Sequence, residues 1–272
     1  MKIVNLVEDT CGSNGCLYEH GLSFYIETKN HKLLVDTGAS GMFIENSKKL
    51  GIDLSEVDIL VLSHGHYDHC GGVMEFAKIN TKAKIYIQKK AFGEYYNCGG
   101  ENPRYIGIDK NIASLKNVLI IDGNINIDEE LFLFTGVKGN ILSPSGNKTL
   151  KEKTECGFLD DSFSHEQYLV INENGKSYLL SGCAHKGIVN ILNEYTNLFN
   201  SYPDFVISGF HLMKKNGYTL DDDVLIKETA LKLKEFNTVF YTCHCTEKYP
   251  YDIMKEILQD KLHWTHSGDK VF

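Results

Sequence analysis

The chain has 272 residues, 42% of them hydrophobic, and a formal net charge of −8. This length and hydrophobic content suffice for a sizeable core in one large domain. The acidic balance weighs against a nucleic-acid partner, which normally requires a basic surface, and therefore against a nuclease.

Targeting and membrane signals are absent from the sequence. No run approaches the roughly 18 apolar residues of a membrane-spanning helix, and the first residues lack the basic and apolar segments of a secretory signal. We therefore expect a soluble, cytoplasmic protein with no membrane partner. The eight cysteines are dispersed and form no Cys-x-x-Cys pair, so we expect reduced thiols.

Strands and helices alternate through the first half of the chain. The expected strands are 2–7, 22–28, 32–35, 59–62, 85–87 and 118–121, and the expected helices are 39–50 and 73–79. Residues 93–110 have no clean periodicity, and we expect them to form a functional or mobile loop.

Arg104 in this loop is the only arginine of the chain. A guanidinium suits bidentate capture of a carboxylate or phosphate, so Arg104 is a candidate for binding an anionic substrate. The alternative is an ordinary surface arginine.

The second half, from about residue 123, alternates in the same way. The expected strands are 125–127, 131–134, 168–171, 177–181, 204–208, 238–242 and one near the C-terminus, and the expected helices are 187–199, 221–236 and 249–259. The polar segment 143–162 reads as a long loop. Residues 172–176 should turn a hairpin, whose antiparallel pairing would bring His165 near Cys183.

A cluster of polar side chains follows the apolar strand 59–62. It consists of His64, His66, Asp68 and His69. Imidazole nitrogen and carboxylate oxygen suit zinc and similar cations, and one turn cannot bury these four groups cheaply without a shared partner. The spacing indicates two ions, because His64 and His66 point to one side of an extended segment while Asp68 and His69 lie beyond it.

Three apolar strands of the second half also end in possible ligands. These are Cys183 with His185, then His211, then His244. These residues are the second-half counterpart of the cluster 64–69. Possible ligands at strand ends in both halves fit a fold in which two β-rich halves pack face to face.

The segment His64-Gly65-His66-Tyr67-Asp68-His69 resembles the His-x-His-x-Asp-His signature of the metallo-β-lactamase superfamily. Residues 33–38 resemble its first motif, in which Asp36 would support the site. Four further segments, 19–23, 181–188, 209–212 and 243–246, are similar to metal-dependent hydrolases related to a dihydropterin-ribofuranosyl-aminobenzene phosphate synthase. The resemblance implies an αββα sandwich of two mixed β-sheets with helices outside, formed by a single domain, 1–272, with similar halves at 1–122 and 123–272.

The resemblance also implies two sets of metal ligands. One set is His64, His66 and a later histidine, and the other is Asp68, His69 and His244. The later histidine is either His165, by its place in the hairpin, or His185, by its motif. Cys183 stands where a bridging aspartate is usual, and it is either a thiolate ligand that favours zinc or a small apolar residue. His211 would support a ligand or transfer a proton.

Metal-assisted hydrolysis is the chemistry that the resemblance implies. Two divalent ions, Zn²⁺ with Fe or Mn as alternatives, would activate a water as hydroxide, with Asp68 orienting it, and polarise the substrate. The expected substrate is a small, anionic molecule with a phosphoester, lactone, amide or thioester bond. The alternatives are a di-iron redox protein, which usually carries a carboxylate where His66 stands, and a non-catalytic, metal-binding regulatory protein.

Overall fold

Two large β-sheets form the centre of the fold in the computed structural model, which describes residues 1–12 and 15–272. The strands of the first half are β1 (Lys2–Val7), β2 (Ser23–Glu27), β3 (Lys32–Val35), β4 (Ile59–Leu62), β5 (Lys84–Gln88), β6 (Tyr95–Asn97), β7 (Arg104–Tyr105) and β8 (Val118–Ile121). Those of the second half are β9 (Ile125–Asn126), β10 (Leu131–Thr135), β11 (Leu150–Thr154), β12 (Gly157–Asp160), β13 (Gln167–Glu173), β14 (Lys176–Leu180), β15 (Phe205–Ile207), β16 (Val239–Thr242) and β17 (Leu262–Trp264). The α-helices are α1 (Met42–Lys49), α2 (Tyr67–Cys70), α3 (Val73–Ile79), α4 (Ile188–Phe199), α5 (Leu220–Lys234) and α6 (Lys248–Leu258).

The two sheets follow the same plan. The first has the order β1-β2-β3-β4-β5-β8, and the second has the order β17-β16-β15-β14-β13-β10-β9. The first sheet pairs β1, β2 and β3 antiparallel and β3, β4, β5 and β8 parallel. The second pairs β9, β10, β13 and β14 antiparallel and β14 to β17 parallel. The carboxyl ends of parallel strands therefore lie together at one edge of each sheet.

Apolar side chains cover both faces of the central strands. In β13, Leu169 and Ile171 belong to a buried cluster that joins the two sheets, while Tyr168 and Val170 pack on the helix side. This alternation follows from the period of two along a strand. Helices α1 and α3 cover the first sheet, and α4, α5 and α6 cover the second. The αββα prediction is confirmed. None of the helices in the described residues has the length and apolar character needed to cross a bilayer.

The turn between β13 and β14 shows how local sequence sets the register. Glu173 pairs with Lys176, which leaves Asn174 and Gly175 as a two-residue turn with φ of 53° and 71°. Asn-Gly suits such a turn because both residues tolerate positive φ. The hairpin predicted around residues 172–176 is thus confirmed, and it fixes where the chain leaves β14 toward Cys183.

A third sheet, the cover sheet, has the order β12-β11-β6-β7. It is built from the segments 93–110 and 143–162, and the prediction that both are loops is wrong. Each segment forms a short hairpin, and the two hairpins pair through β6 and β11, where Asn97 lies opposite Leu150. A small cluster of its own, Tyr95, Ile106, Leu150 and Phe163, holds this sheet in place.

Candidate metal centre

The polar residues singled out in the sequence lie where strands of both sheets end. Asp36 follows β3, the cluster 64–69 follows β4, Cys183 and His185 follow β14, His211 follows β15, and His244 follows β16. In open α/β sheets, the crevice beyond the carboxyl ends of the strands is the usual place for a ligand.

The backbone at these strand ends is locally strained. Asp36, Ala184, His211 and His244 have φ of 60°, 53°, 49° and 52°, in the left-handed region. Such a conformation costs about 1–3 kcal/mol per non-glycine residue and persists where the surroundings enforce it, often at functional sites. The strain turns the chain sharply, so that side chains from both sheets point into one space.

The first group of possible ligands is formed by His64, Cys183 and His185. Their ligand atoms all lie within 4.8 Å of one another, and all three residues are buried. His66 adjoins this group, because its Nδ1 lies 3.1 Å from Nε2 of His64. Gly182 makes the approach possible, since a Cβ there would lie 2.2 Å from Oγ of Ser63.

The second group is formed by Asp68, His69, Cys183 and His244, again within 4.8 Å of one another and buried. Oδ2 of Asp68 lies 3.6 Å from Nε2 of His69 and 3.5 Å from Nε2 of His244. Nε2 of His69 lies 3.1 Å from Sγ of Cys183. Cys183 belongs to both groups and lies between them.

The second ring nitrogen of four of these histidines is held by an oxygen acceptor. The pairs are His64 with Ser63 (2.9 Å), His69 with Asp36 (2.7 Å), His185 with Asn147 (3.1 Å), and His244 with Asp9. In each, Nδ1 donates its proton to the acceptor, which directs Nε2 toward the other candidate ligands; Asp9 raises the pKa of His244, so a metal ion must displace the second proton of that ring. This arrangement is typical of metal-binding histidines, whose other nitrogen is fixed by a carboxylate, a carbonyl or a similar group.

His165 is held differently. The Gly65 amide donates to its Nδ1 over 3.0 Å, and its Nε2 donates to Oδ2 of Asp161 over 3.1 Å. Both ring nitrogens therefore have protein partners. The ring is fully buried and lies beside His66, with 5.1 Å between the ring centroids. The hairpin does bring His165 to the site, and it leaves His165 no free lone pair.

Several buried imidazole nitrogens have no hydrogen-bond partner within residues 1–12 and 15–272. They are Nε2 of His66, Nε2 of His185, Nδ1 of His211 and Nε2 of His244. An unsatisfied buried polar group costs about 1–3 kcal/mol. Divalent cations at this site would satisfy Nε2 of His185 and of His244, so the residues fit the two metal ions that the sequence predicts.

Burial and neighbouring charge set the protonation of these groups. Burial holds the pKa of His64 and of His185 well below its ordinary range and lowers that of His66 to about 4, so the three imidazoles are neutral. Burial raises the pKa of Asp68, but the neighbouring His69, His20 and His244 outweigh it and hold that pKa well below the ordinary value. Neutral imidazole and ionised carboxylate are the forms that bind a metal.

The site forms the floor of a cavity of about 620 Å³. The floor of the cavity is lined by His66, Asp68, Cys183 and His185. The cover sheet forms one wall, which includes Arg104. The segment 213–217, which includes two lysines, forms another wall. A volume of this size suits a small-molecule ligand.

Some residues of the site did not emerge from the sequence. Asp9, Asn147, Asp161 and Cys245 contact the predicted ligands or line the cavity, and Asp9 and Asn147 lie far along the chain from the histidines that they contact. The one available signal was the i, i+4 spacing of Asp161 and His165. His20 also borders the site, because its Nε2 is 3.6 Å from Oδ2 of Asp68 and its Nδ1 is 2.7 Å from Asp9.

Comparison with known proteins assigns the family. The sequence profile described as Metallo-beta-lactamase superfamily matches residues 19–139. The chain is also 30% identical over 221 residues to the uncharacterized protein MJ0448 of Methanocaldococcus jannaschii, covering 78% of this chain and 80% of that protein. The chain belongs to the metallo-β-lactamase superfamily.

Two further superfamily relatives match almost the whole chain. The 7,8-dihydropterin-6-methyl-4-(beta-D-ribofuranosyl)-aminobenzene-5'-phosphate synthase of M. jannaschii is 26% identical over 289 aligned residues, covering 98% of this chain and 95% of that enzyme. The solved structure of Tm1679, described as a metal-dependent hydrolase of the beta-lactamase superfamily, has a TM-score of 0.83 and 29% identity. The structural alignment covers 100% of this chain and 98% of the Tm1679 chain. Metallo-β-lactamase membership implies divalent metal binding and supports a metal-dependent hydrolase in general.

Proposed function

We propose that this protein is a hydrolase that binds two divalent metal ions, zinc above iron or manganese, and acts on a small anionic substrate. The observation that carries the proposal is the pair of buried ligand groups that share Cys183 at the floor of one cavity. A set of imidazoles, one carboxylate and one thiolate favours zinc.

The ligands divide between the two ions as follows. His64, His66 and His185 would hold one ion, Asp68, His69 and His244 would hold the other, and Cys183 would contact both. His165 takes a supporting position, because both of its nitrogens already bind protein groups. Burial and a hydrogen bond with Cys245 raise the pKa of the Cys183 thiol, but a coordinating cation reverses this, because it deprotonates a thiol outright.

Asp68 is the residue proposed to contact the reacting water. When bound, the two ions supply Lewis acidity and lower the pKa of a bound water. Asp68 lines the cavity, and its carboxylate is ionised. It can therefore orient the attacking water and accept a proton from it. His20, on the solvent side of Asp68 at 3.6 Å, stabilises the charge of this carboxylate.

The cavity walls favour an anionic substrate. Arg104 is exposed, with Nη1 3.4 Å from the Tyr67 hydroxyl and its guanidinium over the Tyr67 ring. Lys214 and Lys215 line the facing wall, where Lys214 also pairs with Asp222 at 3.1 Å. Three cations in the walls of a cavity on an acidic protein attract an anion. One relative is named as a synthase of a compound that carries a 5'-phosphate, and this name supports a phosphate group on the substrate.

Two other functions remain less well supported. A di-iron redox protein usually has a carboxylate within the signature, and this chain has the imidazole of His66 there. A regulatory metal-binding protein does not require a cavity of about 620 Å³ above the ions, whereas a hydrolase does. The hydrolase accounts for both the ligands and the cavity.

The test combines elemental analysis with a substrate screen. Protein purified without chelator should contain about two transition-metal ions per chain and should hydrolyse at least one anionic member of a panel of phosphoesters, lactones, esters, amides and thioesters. Replacing His66 or His69 with alanine should remove metal and activity together. The absence of stoichiometric transition metal from the purified protein would contradict the proposal.

His31 provides the matched control for these variants. It precedes β3, at the opposite end of the strand from Asp36, and its ring contacts Asp128 at 2.7 Å and Asp58 at 3.4 Å. His31→Ala should therefore leave the metal content and the activity unchanged. Loss of metal in this variant would mean that the assay reports folding and not coordination.

A further inference from the structure

A third group of possible ligands lies beside the two-ion centre. Cys183, His211 and Cys245 have ligand atoms within 4.8 Å of one another, and all three are buried, with 2%, 8% and 1% exposure. Cys183 is the only member that the other two groups also contain. The proposed hydrolysis assigns no role to Cys245 and needs none from His211.

The fold holds the sulfur of Cys245 at this position. The backbone amide of His211 donates to Sγ of Cys245 over 3.3 Å, and the Met213 amide donates to the carbonyl of Cys245 over 3.0 Å. At Gly209 a Cβ would lie 2.5 Å from that sulfur, so the absence of a side chain there leaves room for it. The thiol is therefore placed by β15 and by the turn after β16.

The imidazole of His211 gives a second, independent observation. Its Nδ1 is buried and has no hydrogen-bond partner within the part of the chain that the structure describes. Its ring packs against His185, with 4.1 Å between centroids, and the strained backbone at His211, with φ of 49°, fixes its direction. A buried nitrogen without a partner is costly, and a cation held with the two thiols would offset that cost.

We propose that Cys183, His211 and Cys245 form a third cation site, which takes a soft, thiophilic ion such as Zn²⁺, Cd²⁺ or Cu⁺. Two sulfur ligands and one imidazole suit such ions and disfavour Mg²⁺ or Ca²⁺. All three residues line the cavity, so an ion there borders the substrate space. The site goes beyond the proposed hydrolase and does not depend on which bond the enzyme cleaves.

Cadmium titration of the full chain tests this site directly. Metal is first removed by a chelator, and the protein is kept reduced while bound Cd²⁺ is counted by equilibrium dialysis. The wild-type protein should bind about one Cd²⁺ ion more than Cys245→Ala and about one more than His211→Ala. The near-ultraviolet absorbance of thiolate bound to cadmium should fall in Cys245→Ala.

Cys16→Ala is the matched control, because Cys16 is also a buried thiol, at 3% exposure, and lies in the N-terminal segment away from the cavity. It should bind as much Cd²⁺ as the wild type. Binding of equal amounts by wild type and Cys245→Ala would overturn the third site. Cys245→Ser, with an unchanged near-ultraviolet circular dichroism spectrum, repeats the test if the alanine variant does not fold.

A further pair of variants distinguishes a failure of the third site from a failure of the two-ion centre. His66→Ala should lower the Cd²⁺ count through that centre, and adding Cys245→Ala to it should remove about one more ion. A count that falls in His66→Ala and stays equal in the double variant would keep the two-ion centre and reject the third site. The reverse pattern would keep the third site and reject the centre.

Discussion

The backbone amide of Gly65 donates a hydrogen bond to Nδ1 of His165, with 3.0 Å between the two nitrogens. Because Nδ1 accepts, the ring proton is on Nε2, which donates to Asp161. Gly65 lies between His64 and His66. His165 thus fixes the backbone between two candidate ligands, and its ring has no lone pair left for a metal.

The first prediction separates His165 from His185. Under mild chelation His185→Ala should lose one metal ion outright, because Nε2 of His185 belongs to the first group and has no hydrogen-bond partner among the described residues. His165→Ala should keep its metal but bind it about 10–100-fold more weakly, as is typical when a group that supports a ligand is removed. Metal content against chelator concentration measures both. Stronger loss in His165→Ala would reverse the assignment.

The second prediction concerns Asp161. Its carboxylate accepts from His165, and one oxygen lies 3.9 Å from Nε2 of His66. Asp161→Asn should weaken metal binding by about 10–100-fold, as measured by competition with a chelator. The neighbouring Asp160 is the control, because its side chain is 88% exposed and pairs with Lys151. Asp160→Asn should bind metal as the wild type does, and equal weakening in both variants would contradict the role of Asp161.

The third prediction concerns the pH dependence of the metal-free protein. Burial lowers the pKa of His66 from 6.5 to about 4 in the folded state. Between these two pH values the unfolded chain binds a proton at His66 that the folded chain does not. The folded state therefore loses stability as the pH falls through this range, by up to about 3 kcal/mol from this group.

Denaturant unfolding of the metal-free protein at pH 6.5 and pH 4 measures this effect. His66→Gln should show a smaller loss of unfolding free energy than the wild type over that range, because glutamine does not titrate. Groups that do not interact with His66 contribute equally to both proteins, so the difference reports His66 together with its effect on the pKa of His64 and His185. Identical losses in the two proteins would show that His66 is not buried in its neutral form.

The fourth prediction concerns Arg104. Once an anionic substrate is found, Arg104→Ala should raise its KM by about 10–100-fold, since a hydrogen bond to a charged group contributes about 1.5–3 kcal/mol. Arg104→Lys should recover part of the loss, because lysine keeps the charge but not the bidentate geometry. Lys89, which pairs with Asp122 at 2.8 Å outside the cavity, is the control. An unchanged KM in Arg104→Ala would remove this residue from the substrate site.

The main sheets and helices could be predicted because their signals are local. The helices expected at 39–50 and 187–199 lie at Met42–Lys49 and Ile188–Phe199, and short apolar runs marked the central strands. The cover sheet could not be predicted. Its strands are short and mostly polar, and their pairing joins residues 97 and 150, which no local pattern connects.

The candidate site also has residues that the sequence predicts and residues that it does not. Residues that follow an apolar strand, such as His64 and His244, could be found from the sequence. Their hydrogen-bond partners could not, because Asp9 reaches His244 and Asn147 reaches His185 only in the folded chain. The choice between His165 and His185 depended on the direction of one amide, that of Gly65, which the sequence does not encode in any readable pattern.

The pairing of β6 with β11 has a consequence for how new variants of this protein can arise. One wall of the cavity is a composite, with one hairpin contributed by each half of the chain and three paired positions between them. If a single hairpin were replaced by that of a relative, the paired residues of β6 and β11 would no longer match. Replacing both hairpins together would preserve the pairing. Substrate preference should therefore change only when the segments 93–110 and 143–162 change together. The histidines at the floor of the cavity can stay the same.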